Sequence, residues 1–120
     1  MSDARQEPQA EAAEASEDLD ADVLGAQTRA WQYGEPQGAP IVLVHGFRGD
    51  HHGLEGVART LAMRLPGTRV IVPDLPGFGE SPAIPGRRHD LDLYGEWLRG
   101  FTRAVAPHGH AILGHSFGSL

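Results

Sequence analysis

The sequence predicts an α/β fold, a mostly parallel sheet with flanking helices, and three observations carry that expectation. Short β-branched runs alternate with stretches of helical periodicity along most of the chain. Ile41-Val42-Leu43-Val44 is a continuous apolar run, the pattern of a strand covered on both faces. From Ile41 onward the order reads β-α-β-α-β, which fits parallel strands joined by right-handed crossovers.

Taken in order, residues 1–22 hold eight acids and one base, with Leu19 the only larger apolar residue besides Met1. Such a segment cannot bury enough surface to offset its ordering entropy, so residues 1–22 read as a disordered acidic tail and 23–120 as the folding domain. Thr28–Tyr33 is a weak strand, followed by a turn region rich in Gly and Pro over Gly34–Pro40. After the Ile41–Val44 strand, Leu54, Val57, Ala58, Leu61, Ala62 and Leu65 form one helical stripe stopped by Pro66-Gly67. Thr68–Val72 is the next strand. A long loop to Arg88 holds four of the nine prolines, Pro73, Pro76, Pro82 and Pro85. A second amphipathic helix starts near Asp90 with Tyr94, Leu98, Phe101 and Val105 on its apolar face, and His110–Leu113 is the last strand.

Composition narrows the function. Formal net charge is −6, with −7 of it in residues 1–22 and +1 in the rest, so no basic stripe exists to bind a polyanion, and nucleic acid is excluded as a partner. Absence of Cys removes disulfides, thiolate catalysis and Cys-ligated metal sites. No run approaches the roughly 20 apolar residues of a membrane span, and the acidic N-terminus lacks a secretory leader pattern. The expectation is a soluble, cytoplasmic protein.

The chemistry-bearing pattern is Gly114-His115-Ser116-Phe117-Gly118, a G-x-S-x-G directly after a strand. That spacing suits a strand-to-helix turn so tight that Ser116 stands above the sheet edge, with the two glycines leaving room and the Phe117 amide facing a developing oxyanion. His45-Gly46-Phe47 follows the Ile41–Val44 strand, and Asp74-Leu75-Pro76-Gly77-Phe78-Gly79-Glu80-Ser81 follows the next.

Together these three segments resemble the α/β-hydrolase family of serine hydrolases, over roughly Thr28–Leu120. The resemblance implies Ser116 as nucleophile, the backbone amides of Phe47 and Phe117 as the oxyanion hole, and His45, Gly46 and His115 as shaping the substrate site. It implies a small-molecule acyl substrate and neither a metal nor an organic cofactor. A Ser at the elbow disfavours relatives with an Asp nucleophile, such as epoxide hydrolases and haloalkane dehalogenases. Carboxylic esters, thioesters, lactones and C–C bonds of vinylogous ketones remain candidate substrates. The family's triad runs Ser, acid, His, and only four residues follow Ser116, so the acid and base are expected beyond Leu120, in a C-terminal half this chain does not contain. The rival reading is a catalytically inactive fragment or interaction remnant.

Histidines within the chain make poor substitutes for the missing base. His115 is next to Ser116 on a turn that points neighbours apart, and His45 suits a structural hydrogen bond in the oxyanion turn. Asp50-His51-His52 and His108-Gly109-His110 suggest metal clusters, but no third ligand is evident from spacing, and surface or helix-capping roles are expected instead.

Overall fold

The computed structural model describes residues 16–46 and 49–114. Its elements are β1 (Ser16–Asp18), β2 (Ala21–Val23), β3 (Ala26–Thr28), β4 (Ala30–Gly34) and β5 (Ala39–Val44), then a 3₁₀ turn at His51–Leu54 and helix α1 (Glu55–Arg64). They continue with β6 (Thr68–Pro73), helix α2 (Leu91–Val105) and β7 (Ala111–Gly114). Five strands make one sheet in the order β1-β4-β6-β5-β7, while β2 and β3 form a separate hairpin.

The sheet is mixed. Strand β5 pairs in parallel with β6 and β7, but β4 is antiparallel to β6 and β1 antiparallel to β4. The parallel part matches the strong apolar runs. The antiparallel part consists of β4, which overlaps the weak strand expected at Thr28–Tyr33, and β1, which is short and polar and so hidden from a reading of apolar content.

This corrects the expected tail from Ser16 onward. Ser16–Asp18 pairs with Trp31–Tyr33, and Ala21–Val23 pairs with Ala26–Thr28. Three contributions offset the ordering entropy there. The Leu19 amide donates to the Ala30 carbonyl at 2.8 Å. Val23 is buried in the core, with Leu19 and Ala21 packed against it. Arg29 lies 3.6 Å from Asp18 and 3.4 Å from Asp20, so the acids that looked like tail solvation face a cation. The β2–β3 turn has φ of 53° at Leu24 and 86° at Gly25. Both values are left-handed, as a two-residue hairpin of right-handed twist demands.

Period-two alternation sends side chains to two cores. Val42 and Val44 of β5, Ile71 of β6 and Ala30 of β4 join Leu93, Tyr94, Trp97, Phe101 and Val105 of α2 on one face. Leu43 of β5, Val70 and Val72 of β6, and Trp31 and Tyr33 of β4 join Ala58 and Ala62 of α1 on the other. The result is a sheet between two helices.

Helix α2 begins where its cap predicts: Asp90 is extended, and its carboxylate accepts from the Leu93 amide at 3.0 Å. Helix α1 buries a narrower stripe than the sequence suggests. Leu54, Ala58 and Ala62 are buried with Leu61 partly so, whereas Val57 and Leu65 stand exposed. Strand β7 is the sheet's edge among the described residues, and all four of its residues are exposed. No helix of the described residues is long and apolar enough to cross a membrane.

Candidate active site

Parallel pairing makes β6, β5 and β7 end on the same edge of the sheet. The register sets Val44 beside Gly114, so β5 and β7 end side by side at that edge. Strand β6 flanks β5 on its other side and delivers Asp74 there. Of the residues expected to act, His45 and Gly46 follow β5. Phe47, His115, Ser116 and Phe117 lie outside the described residues.

His45 is buried, and both its ring nitrogens are engaged. Nδ1–H donates to the Gly46 carbonyl at 2.8 Å, and Nε2 accepts from the Leu75 amide at 2.9 Å. These bonds fix one neutral tautomer and pin the turn after β5 to the loop after β6. With no free nitrogen, His45 cannot take a proton from a neighbouring hydroxyl while these bonds stand. Phe78 meets its ring edge-on at 6.0 Å.

The loop after β6 is organised around Asp74, which is fully buried. A buried carboxylate needs its acceptor sites filled. Its Oδ1 accepts from the His51 amide at 2.6 Å and its Oδ2 from the Glu80 amide at 2.9 Å, while His51 Nδ1–H lies 3.0 Å from both oxygens. The backbone is equally tied. Asp74 N–H donates to the Arg29 carbonyl at 2.9 Å, and the Asp74 carbonyl accepts from Ser81 Oγ at 2.7 Å. Ser81 Oγ in turn accepts from the Arg29 amide at 2.9 Å. Gly79 has φ of 53°, and a Cβ there would come within 2.3 Å of Asp74 Oδ2, so the loop's second Gly is required both for backbone conformation and for space. Tyr94 of α2 donates to the Pro76 carbonyl at 3.0 Å, and burial pushes its phenol above the ordinary value.

Sequence reasoning missed His51. It is buried against Asp74, stacks on Trp31 with ring centroids 3.4 Å apart, and is no surface residue. Asp50 does cap: its Oδ1 accepts from the His52 amide at 3.0 Å and starts the 3₁₀ turn. Nothing in periodicity signals a pairing between His51 and an acid 23 positions away. The one available clue was an acid that the loop pattern placed at the end of an adjacent strand.

The profile of the alpha/beta hydrolase fold matches residues 39–120. The chain is 38% identical over 98 residues to the dihydrolipoyllysine-residue acetyltransferase component of the acetoin cleaving system of Pseudomonas putida, covering 82% of this chain and 25% of that protein. It is 36% identical over 84 residues to the pimeloyl-[acyl-carrier protein] methyl ester esterase of Aeromonas hydrophila, covering 70% of this chain and 30% of the esterase. It therefore spans less than a third of the length of either relative. Epoxide hydrolase A from Mycobacterium thermoresistibile has the same fold over 88% of this chain and 33% of its own, with TM-score 0.76 and 24% identity. From the profile match over most of the chain and the strand order, the chain belongs to the α/β-hydrolase fold family.

Proposed function

We propose that this chain supplies the nucleophile and oxyanion hole of a serine hydrolase acting on a carboxylic ester or related small to medium acyl substrate. The observation that carries the reading is the parallel pairing of β5 with β7 in the register Val44 to Gly114. It sets side by side the ends of the two strands that precede, in sequence, His45-Gly46-Phe47 and the rest of Gly114-His115-Ser116-Phe117-Gly118. The tie between His45 and Leu75 supports it, because a turn fixed to the neighbouring loop is preorganised before substrate arrives.

In this mechanism Ser116 Oγ attacks the acyl carbon as a general base removes its proton. The carbonyl oxygen becomes an oxyanion that accepts from the Phe47 and Phe117 amides. Collapse expels the leaving group, protonated by the same base acting as acid, and water then hydrolyses the acyl-enzyme by the reverse sequence. The base and its orienting acid would be contributed by chain beyond Leu120. A Ser in the nucleophile position favours acyl transfer over the alkyl-enzyme route of carboxylate-dependent epoxide hydrolases. The kinship with a methyl ester esterase supports the same choice.

The test compares hydrolysis of p-nitrophenyl acetate and butyrate by the full-length protein and its Ser116→Ala variant. The expected loss in kcat is on the order of 10⁴-fold or more. A Ser116→Ala protein that keeps the parent rate would contradict the assignment.

A further inference from the structure

The 3₁₀ turn between β5 and α1, together with the first residue of α1, gathers three metal-ligating side chains that the hydrolase chemistry does not use. His51, His52 and Glu55 offer ligand atoms that all lie within 4.8 Å of one another. Local folding brings them together. The Asp50 cap sets the 3₁₀ turn, and His52 and Glu55, three residues apart, then share a face with His52 Nδ1 3.1 Å from Glu55 Oε1. The His51 and His52 rings lie against each other, with centroids 4.0 Å apart.

Three features separate this cluster from an incidental surface group. His51 is buried and immobilised by Trp31 on one face. Its Nδ1 proton goes to the Asp74 carboxylate, which leaves Nε2 as the lone-pair nitrogen; a carboxylate behind a histidine is the arrangement that orients and strengthens a metal ligand. The other two ligands are open to solvent, His52 with 65% of its side chain exposed and Glu55 with 32%, which provides an entry path and room to adjust. Donors about 2.0–2.2 Å from a tetrahedral metal sit roughly 3.3–3.5 Å apart, so small rotations of these two side chains close the set. Arg59 lies 3.8 Å from Glu55 Oε2, on the carboxylate oxygen that His52 does not approach.

We propose that His51, His52 and Glu55 bind a divalent transition metal of the zinc class, with Asp74 as the positioning residue behind His51. Two imidazoles and one carboxylate suit zinc, cobalt, nickel or copper over magnesium or calcium. Three protein ligands leave a fourth position for water. The bound ion ties the 3₁₀ turn to the first residue of α1, and the His51–Asp74 hydrogen bonds join that turn to the loop after β6. The sequence reading found no third ligand for His51-His52 because Glu55 lies on the far side of the turn that the structure reveals. The site stands independently of the role assigned to Ser116.

The test is calorimetric titration of the metal-free full chain with Zn²⁺, repeated with Co²⁺ to read its visible absorption. One saturable Zn²⁺ site per chain is expected, with a Co²⁺ d–d band typical of four or five ligands. His52→Gln and Glu55→Gln should each weaken binding at least about tenfold. His52 is exposed and Glu55 half-buried at the start of α1, so the metal-free melting temperature of each variant is measured beside its affinity, and both variants should remain folded. A His108→Gln/His110→Gln double variant should bind like the parent. Lack of saturable Zn²⁺ binding, unchanged affinity in both His52→Gln and Glu55→Gln, or loss of the site only in the double variant would overturn the proposal.

Discussion

Replacing Gly79 by Ala should destabilise the protein far more than the same change at Gly67, and the difference can be worked from the structure. Both glycines have left-handed φ, 53° and 83°. Both substitutions therefore carry the strain of an L-residue there, about 1–2 kcal/mol, partly offset by lower unfolded-state entropy, about 0.4–1 kcal/mol. These terms nearly cancel in the comparison. A Cβ at Gly67 meets nothing within 4 Å, whereas one at Gly79 comes within 2.3 Å of Asp74 Oδ2 and 2.6 Å of its Cγ. The Asp74 carboxylate cannot swing aside without releasing the His51 and Glu80 amides. Loss of even one of these two hydrogen bonds to a buried charged acceptor costs about 1.5–3 kcal/mol, which is the least gap expected between the variants. Equilibrium urea unfolding followed by tryptophan fluorescence reads it, as midpoints separated by about 1 M at ordinary m values. Agreement of the two variants within about 0.5 kcal/mol, inside the error of such a comparison, would refute Asp74 as the loop's organising group.

Other expectations follow from single contacts. Thr28→Val keeps the shape but removes the acceptor of the Trp97 Nε1 bond, 2.8 Å long and buried, and should cost about 1–3 kcal/mol in thermal or urea unfolding. Leu24→Asn should raise stability by up to about 1 kcal/mol, because Asn tolerates the positive φ that Leu24 holds at 53°; a destabilised variant would contradict the assigned turn. Burial first, and the Glu55 charge second, push the Tyr33 phenol above its ordinary value. The folded state thus holds that proton more tightly. Its contribution is complete below the unfolded value of about pH 10 and is lost as pH rises through the higher folded value. Tyr33→Phe should flatten that alkaline decline, measured as melting temperature from pH 8 upward.

The elements most legible in the sequence were those whose burial is continuous or strongly periodic. Ile41–Val44 and Thr68–Val72 are covered on both faces, and α2 has a full apolar face with an Asp cap, so each was visible from residue type alone. Residues 16–22 do not read as strands because they order through pairing with β4 and β3 and through Arg29, none of which a local window contains. Val57 and Leu65 share the helical stripe yet stand exposed, because helical spacing cannot say which part of a stripe meets the sheet. Around the site, the turn after β5 and the Asp74 loop were recognisable as patterns. The buried pairing of His51 with Asp74 joins residues 23 positions apart and depends on two strands lying side by side. The third member of the metal cluster was hidden for a related reason. The 3₁₀ turn changes the angular spacing between His51 and Glu55 from that of a regular helix.

The central claim is that Ser116 is an activated nucleophile, and covalent labelling tests it most directly. Full-length protein from its own host, treated with a fluorophosphonate and digested, should give one modified peptide containing Ser116, with labelling abolished in Ser116→Ala and slowed by a competing acyl ester. Protein that is folded by circular dichroism yet takes up no label at Ser116, or is labelled equally after Ser116→Ala, would contradict the account.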